Sequence, residues 1–231
     1  IRLSLVGSEM CIRDRQKIAF KNGFSETAFL KEEDKYFKIS FYTPTSEIDL
    51  CGHATVASAS HLSREMGRKE ITFQANQDFL YCNVDEENVS LILPKQEIIK
   101  KEPSQKILKI LGNSCIDYYE SEIHFIGIID SFKNLLEWNN DFYNQDDLCK
   151  DQLILTSSSV SRDYDYALRM FGTKNLGVIE DPVTGSAQPP IFSYWSEELK
   201  KENFCVYQAS ERGGLMPVSY THLTLPTIYS V

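Results

Sequence analysis

Two short glycine-bearing phrases constrain most of what this chain can become. "CGHATVA" begins at Cys51 and "TGSAQPP" at Thr184. Each follows a strand-like run, opens a helix-like run, and is succeeded by another strand-like run. After the first phrase, Val56, Ala59, Leu62 and Met66 recur three or four residues apart, and Gly67 supplies the stop. The second phrase leads through "EDPVTGSA" into "IFSYWSEELKK". A chain that twice sets a glycine motif between a strand and a helix is expected to fold as two similar halves, the product of an internal duplication.

Alternating or apolar runs supply the strands. "YFKISFYTP", "ITFQA", "FLYCNV" and "VSLILP" fall in the first half, and "IHFIGIID", "LILTSSS", "DYALRMF" and "FCVYQAS" in the second. "QKIAFKNG" and "PSQKILKILG" read as short helices closed by glycine. The expected fold is α+β, with two similar domains, each a curled, mostly antiparallel sheet around a central helix. The domains are drawn at residues 16–96 and 97–216. Residues 1–15 and 217–231 differ in character from the body. "LSLVGSEMCIRDR" and "PVSYTHLTLPTIYSV" resemble translated sequencing-adapter read-through, so both ends are expected to be non-native. On that reading the first domain lacks its first strand and the second its last strands.

Composition removes several function classes. Thirty-three acidic residues against 24 basic ones give a net charge of −9, which disfavours nucleic acid as a partner. No apolar run approaches the roughly 20 residues a bilayer span requires. The six cysteines, Cys11, Cys51, Cys82, Cys115, Cys149 and Cys205, form no CxxC pair. They read as free thiols in a reducing cytoplasm. His53, His61, His124 and His222 do not combine with them at zinc-like spacing, so no metal is expected.

Three stretches carry candidate chemistry. In "FSETAFL" an extended backbone places Phe24, Glu26 and Ala28 on one face. A buried Glu26 among apolar neighbours could carry a proton near neutral pH; the competing reading is a surface glutamate at a strand end. In "DLCGHATVASAS", Gly52 allows close approach to a ligand. The N–H groups opening the helix at Ala54 and Thr55 form an anion site. His53 stands at that mouth, as a proton carrier or only as a cap. Cys51 is a base if ionised, or a small buried hydrophobe. In "EDPVTGSA", Asp181 is fixed in an extended conformation by Pro182. Gly185, Ser186 and Ala187 make a second nest of N–H groups. Asp181 could orient a histidine, bind an ammonium group or act as an acid; the alternative is a turn-forming aspartate.

These phrases together resemble a known family. "FSETAFL", "YTPTSEIDLCGHATVASA", "EDPVTGSAQPPIFSYWSEEL" and "YQASERGG" are similar, in this order, to the recurrent motifs of the phenazine-biosynthesis isomerase-like (PhzF-like) group, over about Gln16 to Leu215. The resemblance implies paired domains of the diaminopimelate-epimerase type and an isomerase without a cofactor, acting in the cleft between the domains. It implies that Glu26 removes a proton from carbon and returns it elsewhere. His53 and Asp181 would serve as acid/base and orienting groups, and Gly52, Ala54, Gly185 and Ser186 would cradle the substrate. The expected function is therefore proton movement on a small carboxylate-type metabolite. The alternatives are a non-catalytic binding protein that keeps the fold, or a racemase or epimerase dependent on Cys51. Two-thiol inversion is disfavoured, because "EDPVTGSA" has no cysteine to oppose Cys51. The chain departs from the family at Gln188, Pro189 and Pro190, where the prolines remove N–H donors from the second nest. The expected partner is a small anionic metabolite, with no nucleic acid and no membrane, and with a homodimer left open.

Overall fold

The computed structural model describes residues 4–5, 11–24, 26–86, 88–139, 141–159 and 161–219. Of the two ends set aside above, residues 1–3, 6–10 and 220–231 lie outside the described residues. Contacts divide the chain into two units, Ile1–Pro94 and Lys95–Val231.

The first unit runs β1 (Ser4–Leu5), α1 (Ile12–Asn22), β2 (Thr27–Glu32), β3 (Phe37–Tyr42), β4 (Glu47–Ile48), α2 (Gly52–Met66), β5 (Glu70–Ala75), β6 (Asp78–Val84) and β7 (Val89–Ile92). Its sheet has the order β1-β2-β3-β5-β6-β7, with β4 on β3. The second unit runs β8 (Ile99–Lys100), α3 (Gln105–Leu111), β9 (Cys115–Glu120), β10 (His124–Ile129), α4 (Phe132–Glu137), β11 (Gln152–Ser158) and β12 (Tyr166–Gly172). A 3₁₀ turn at Gly185–Ala187 then leads into α5 (Gln188–Leu199), followed by β13 (Asn203–Gln208) and β14 (Gly214–Ser219). Its sheet has the order β14-β13-β12-β11-β10-β9-β8.

The expected duplication is present in the strand pairing. In the first unit β1 pairs parallel with β2, β2 antiparallel with β3, β3 parallel with β5, and β5 antiparallel with β6. The second unit repeats that sequence of senses through β10, β11, β12, β13 and β14. A helix bridges each parallel pair: α1 and α2 in the first unit, α4 and α5 in the second. The α+β class follows directly, as two mostly antiparallel sheets of seven strands.

Each sheet is covered on both faces. Ala28 and Leu30 of β2, with Phe37, Ile39 and Phe41 of β3, meet Ala54, Ala59 and Leu62 of α2. Phe29 and Tyr42 point to the other side, against Ala19 of α1. In the second unit Ile126, Ile128, Ile154 and Leu168 meet Ile191 and Trp195 of α5. Phe125, Leu153 and Leu155 meet Ile107, Ile110 and Leu111 of α3 and Leu135 of α4. Double coverage explains why β2 is buried over four successive residues and β10 over all six, without the alternation of a one-sided sheet.

Some local expectations change. The inward face of α2 is Ala54, Thr55, Ser58, Ala59 and Leu62, while Met66 is 37% exposed and Val56 is half-buried. Small residues let the helix lie close to the sheet. Its buried hydroxyls are satisfied inside the helix: Thr55 Oγ1 donates to the Cys51 carbonyl at 2.8 Å and Ser58 Oγ to that of Ala54 at 2.7 Å. The first helix starts at Ile12, ahead of the expected Gln16, and closes on Gly23 in the left-handed region. A strand, β14, does follow the glycine pair, and it includes Pro217 opposite Cys205. At the edge of the sheet the missing N–H of proline costs no ladder bond.

Candidate active site

Glu26 is the residue immediately before β2, and Cys51 is the residue immediately before α2. Cys51 packs in the same core cluster as Ala28 and Leu30, so the start of the strand and the start of the helix are neighbours. His53, on the first turn of α2, is thereby brought to Glu26. Its Nε2 lies 2.9 Å from Glu26 Oε2. Cys51 Sγ lies beside the same ring, 3.6 Å from Nδ1 and 3.5 Å from Nε2. Glu26 is largely shielded, with 13% of its side chain exposed, whereas His53 is 44% exposed. The apolar wall expected from Phe24 is not there, since that ring is 46% exposed. Glu26 is instead set against the imidazole and the helix mouth.

Hydrogen bonding to the Cys51 sulfur first, and to the Glu26 carboxylate second, raises the His53 pKa from 6.5 to about 10. Both contacts favour the protonated form of the ring next to the Glu26 carboxyl group. The opening N–H groups of α2, at Gly52, His53 and Ala54, precede the first intrahelical bond, made by Thr55 N–H to the Cys51 carbonyl at 3.0 Å. They carry the positive end of a 15-residue helix. A carboxyl group, an imidazole and the N-terminal end of a helix therefore stand together.

Asp181, Gly185 and Ser186 belong to the second unit. Asp181 follows an isolated bridge between Phe171 and Glu180. Its carboxylate accepts from the Val183 N–H at 3.2 Å, the turn-forming contact considered above. The backbone then passes through Thr184, extended at φ −112° and ψ 99°, into the 3₁₀ turn of Gly185, Ser186 and Ala187. Pro189 and Pro190 occupy the first turn of α5, where their missing N–H groups break no helical bond. Gln188 is buried and accepts the Tyr166 hydroxyl at 2.9 Å. The departure at this position thus contributes an anchor between the helix and β12.

Two residues that hold this loop escape sequence reasoning. Gln208, at the end of β13, is fully buried. Its Oε1 accepts the Thr184 N–H at 2.6 Å, and its Nε2 donates to the Asp181 carbonyl at 2.6 Å and to Thr184 Oγ1 at 3.1 Å. Arg169 clamps Glu180, the residue before Asp181, through Nε and Nη2 at 2.7 and 2.9 Å. Its Nη1 donates to carbonyls closing α4, including that of Trp138 at 2.9 Å. The available signal was a glutamine on the inward side of a strand within "FCVYQAS", since an amide buried there needs partners.

Comparison with known proteins gives the family and the fold. Residues 7–225 match the model of the family described as phenazine biosynthesis-like protein. The chain is 35% identical to an uncharacterized isomerase of Halalkalibacterium halodurans, over 90% of this chain and 79% of that protein. Its structure superposes on a putative phenazine biosynthesis PhzC/PhzF protein from Clostridium difficile with a TM-score of 0.84, at 29% identity, covering 94% of this chain and 83% of that one. The fold alone extends to a hydroxyproline epimerase of Agrobacterium vitis, with a TM-score of 0.54 and 9% identity over 91% of this chain and 80% of that one.

Proposed function

We propose that this chain, which belongs to the phenazine biosynthesis-like protein family, is an isomerase that moves a proton between carbons of a small carboxylate-bearing metabolite without a cofactor. The observation that carries the reading is the 2.9 Å contact between Glu26 Oε2 and His53 Nε2 at the mouth of α2. Glu26, as a carboxylate, takes the acidic proton from a carbon next to a carbonyl or carboxylate. The electron pair left on carbon spreads into that group as an enolate, whose oxygen is stabilised by the N–H groups opening α2. A proton then returns to a different carbon, from Glu26 or from the His53 imidazolium, and the double bond shifts. If His53 donates, the proton taken by Glu26 passes across the 2.9 Å contact and restores both groups. Acid/base transfer of this kind contributes typically about 10²–10⁴-fold, with anion stabilisation supplying much of the remainder.

By resemblance, Asp181 orients the substrate or the acid/base pair, and Gly185 and Ser186 form the second part of its cradle. The Gln208 amide supports this reading, because it fixes both ends of Asp181–Thr184.

The contact of Cys51 with His53 favours a second reading, in which the thiolate is the base of a racemase. The experiment that separates the two is incorporation of solvent deuterium into a panel of small carboxylates, followed by mass spectrometry. Loss of exchange in Glu26→Gln with Cys51 intact supports the carboxylate. Unchanged exchange in that variant would transfer the role to the thiol. Folded protein that exchanges nothing across the panel would remove the isomerase reading.

A further inference from the structure

Glu26, Cys51 and His53 form a donor set with a use beyond proton transfer. One atom from each, a carboxylate oxygen, a thiol sulfur and a ring nitrogen, lie within 4.8 Å of one another. Among the described residues this is the one group of three such donors so arranged. Metal bonds of about 2.0–2.3 Å at tetrahedral angles place neighbouring donors about 3.3–3.8 Å apart. The separation of 3.5 Å between Cys51 Sγ and His53 Nε2 falls in that range, and the 2.9 Å between His53 Nε2 and Glu26 Oε2 is slightly below it. Cys51 Sγ stands nearly equidistant from both ring nitrogens, so the His53 ring must turn to aim Nε2 at an ion held between the three donors.

The donors are held by the fold. Cys51 and His53 open a helix whose inner face is buried, and Glu26 leads into a strand whose first four residues are buried. Thiolate, imidazole and carboxylate together suit zinc and poorly suit magnesium or calcium, which take oxygen donors. Three protein ligands leave the fourth position of a tetrahedral ion open, and the exposed edge of His53 provides the route in. Chain spacing hides the set, because Cys51 and His53 are two positions apart whereas the third donor arrives through the packing of β2 against α2.

We propose that Glu26, Cys51 and His53 bind a borderline-soft divalent cation, zinc being the best fit, and that the bound ion switches proton transfer off. The inhibitory half rests on the isomerase reading. The ion would displace the His53 ring proton and the Cys51 thiol proton to solvent, and would occupy the Glu26 oxygen that must receive the carbon proton and the His53 nitrogen that faces it.

Cobalt(II) titrated into the full chain is the test, since a thiolate ligand gives it an intense sulfur-to-metal charge-transfer band. The band should saturate at one equivalent and be bleached by added zinc. Cys51→Ser should abolish it. Should that variant fail to fold, His53→Ala, at an exposed side chain, should weaken cobalt binding by at least the roughly 10–100-fold that loss of an outer-shell partner costs. A band that persists in Cys51→Ser would assign the metal to the other cysteines and overturn the site. No band from folded wild-type protein would overturn it too. These readouts need no substrate, so they stand apart from the deuterium test of the isomerase. With an exchanging substrate, one equivalent of zinc should suppress exchange and a chelator restore it; full exchange by zinc-loaded protein would overturn the switch.

Discussion

Cys51 and Thr184 hold the same place in the two copies of one supersecondary plan. Each is the extended residue between a strand and a helical turn that begins with glycine, at φ −138° and ψ 104° for Cys51 and φ −112° and ψ 99° for Thr184. The first copy carries thiol, glycine and imidazole, and the second hydroxyl, glycine and hydroxyl, at Thr184, Gly185 and Ser186. A reaction that needs one thiol from each copy is not available, and in the isomerase proposed above the base is Glu26. Glu26→Gln should lower solvent deuterium exchange by about 10²–10⁴-fold, the contribution of one general base. Adding Thr184→Cys to that variant should not restore exchange. Mass spectrometry of the substrate reads both outcomes, and rescue by the second thiol would return the role to cysteine.

Gln208 should matter for stability out of proportion to its size. Its amide serves the Thr184 N–H, the Thr184 hydroxyl and the Asp181 carbonyl from a fully buried position. Gln208→Leu keeps the volume and leaves those groups without that partner. Each buried group so stranded costs about 1–3 kcal/mol. A loss of unfolding free energy of this order, read from the shift in the denaturation midpoint, is expected, together with altered backbone amide signals at Val183 and Thr184.

His124 sets an acid limit on stability. It sits fully buried in β10, with Nδ1 2.9 Å from Ser121 Oγ. Burial first, with the nearby Lys150 charge adding, lowers its pKa from 6.5 to about 4, against a partly offsetting contact with Gln152. Between these values the unfolded chain binds a proton that the folded chain does not. Stability from this group is therefore fully present above about 6.5 and is lost as pH falls towards about 4. Urea midpoints measured at pH 7 and pH 4.5 should differ more in the wild type than in His124→Gln. An equal acid loss in both would show that other groups set the limit.

The outline of the fold was legible because its signals are local. Glycine motifs opening helices, alternating strands and glycine stops each depend on a few consecutive residues. The buried face of α2 was misjudged for a physical reason: Thr55 and Ser58 count as polar by composition, yet they enter the core by bonding their own helix. Phe24 was misjudged because residues alternating along an extended segment share a direction without sharing cover. At the site, Glu26 and His53 were legible as chemistry, but their 2.9 Å contact was not, since it joins a strand to a helix 27 positions away. The same holds for Gln208, whose partners lie 24 and 27 positions earlier.

The glycine pair of "YQASERGG" links the last strand to the Asp181 loop and yields a final expectation. A Cβ placed on Gly214 would come 2.5 Å from Val183 Cγ2 and 3.6 Å from its Cγ1. Val183 is branched at Cβ and has little rotamer freedom with which to withdraw. Its backbone N–H is also held by the Asp181 carboxylate at 3.2 Å. Gly214→Ala must therefore displace the loop or the start of β14, at the roughly 1–3 kcal/mol typical of overpacking. The shift should appear in the amide signals of Val183 and Thr184 while those of α2 stay in place. Trimming the obstructing branch in the double variant Gly214→Ala, Val183→Ala should return the Thr184 signal towards its wild-type position. If Gly214→Ala leaves that signal where it is, close contact with Val183 is not what requires glycine here.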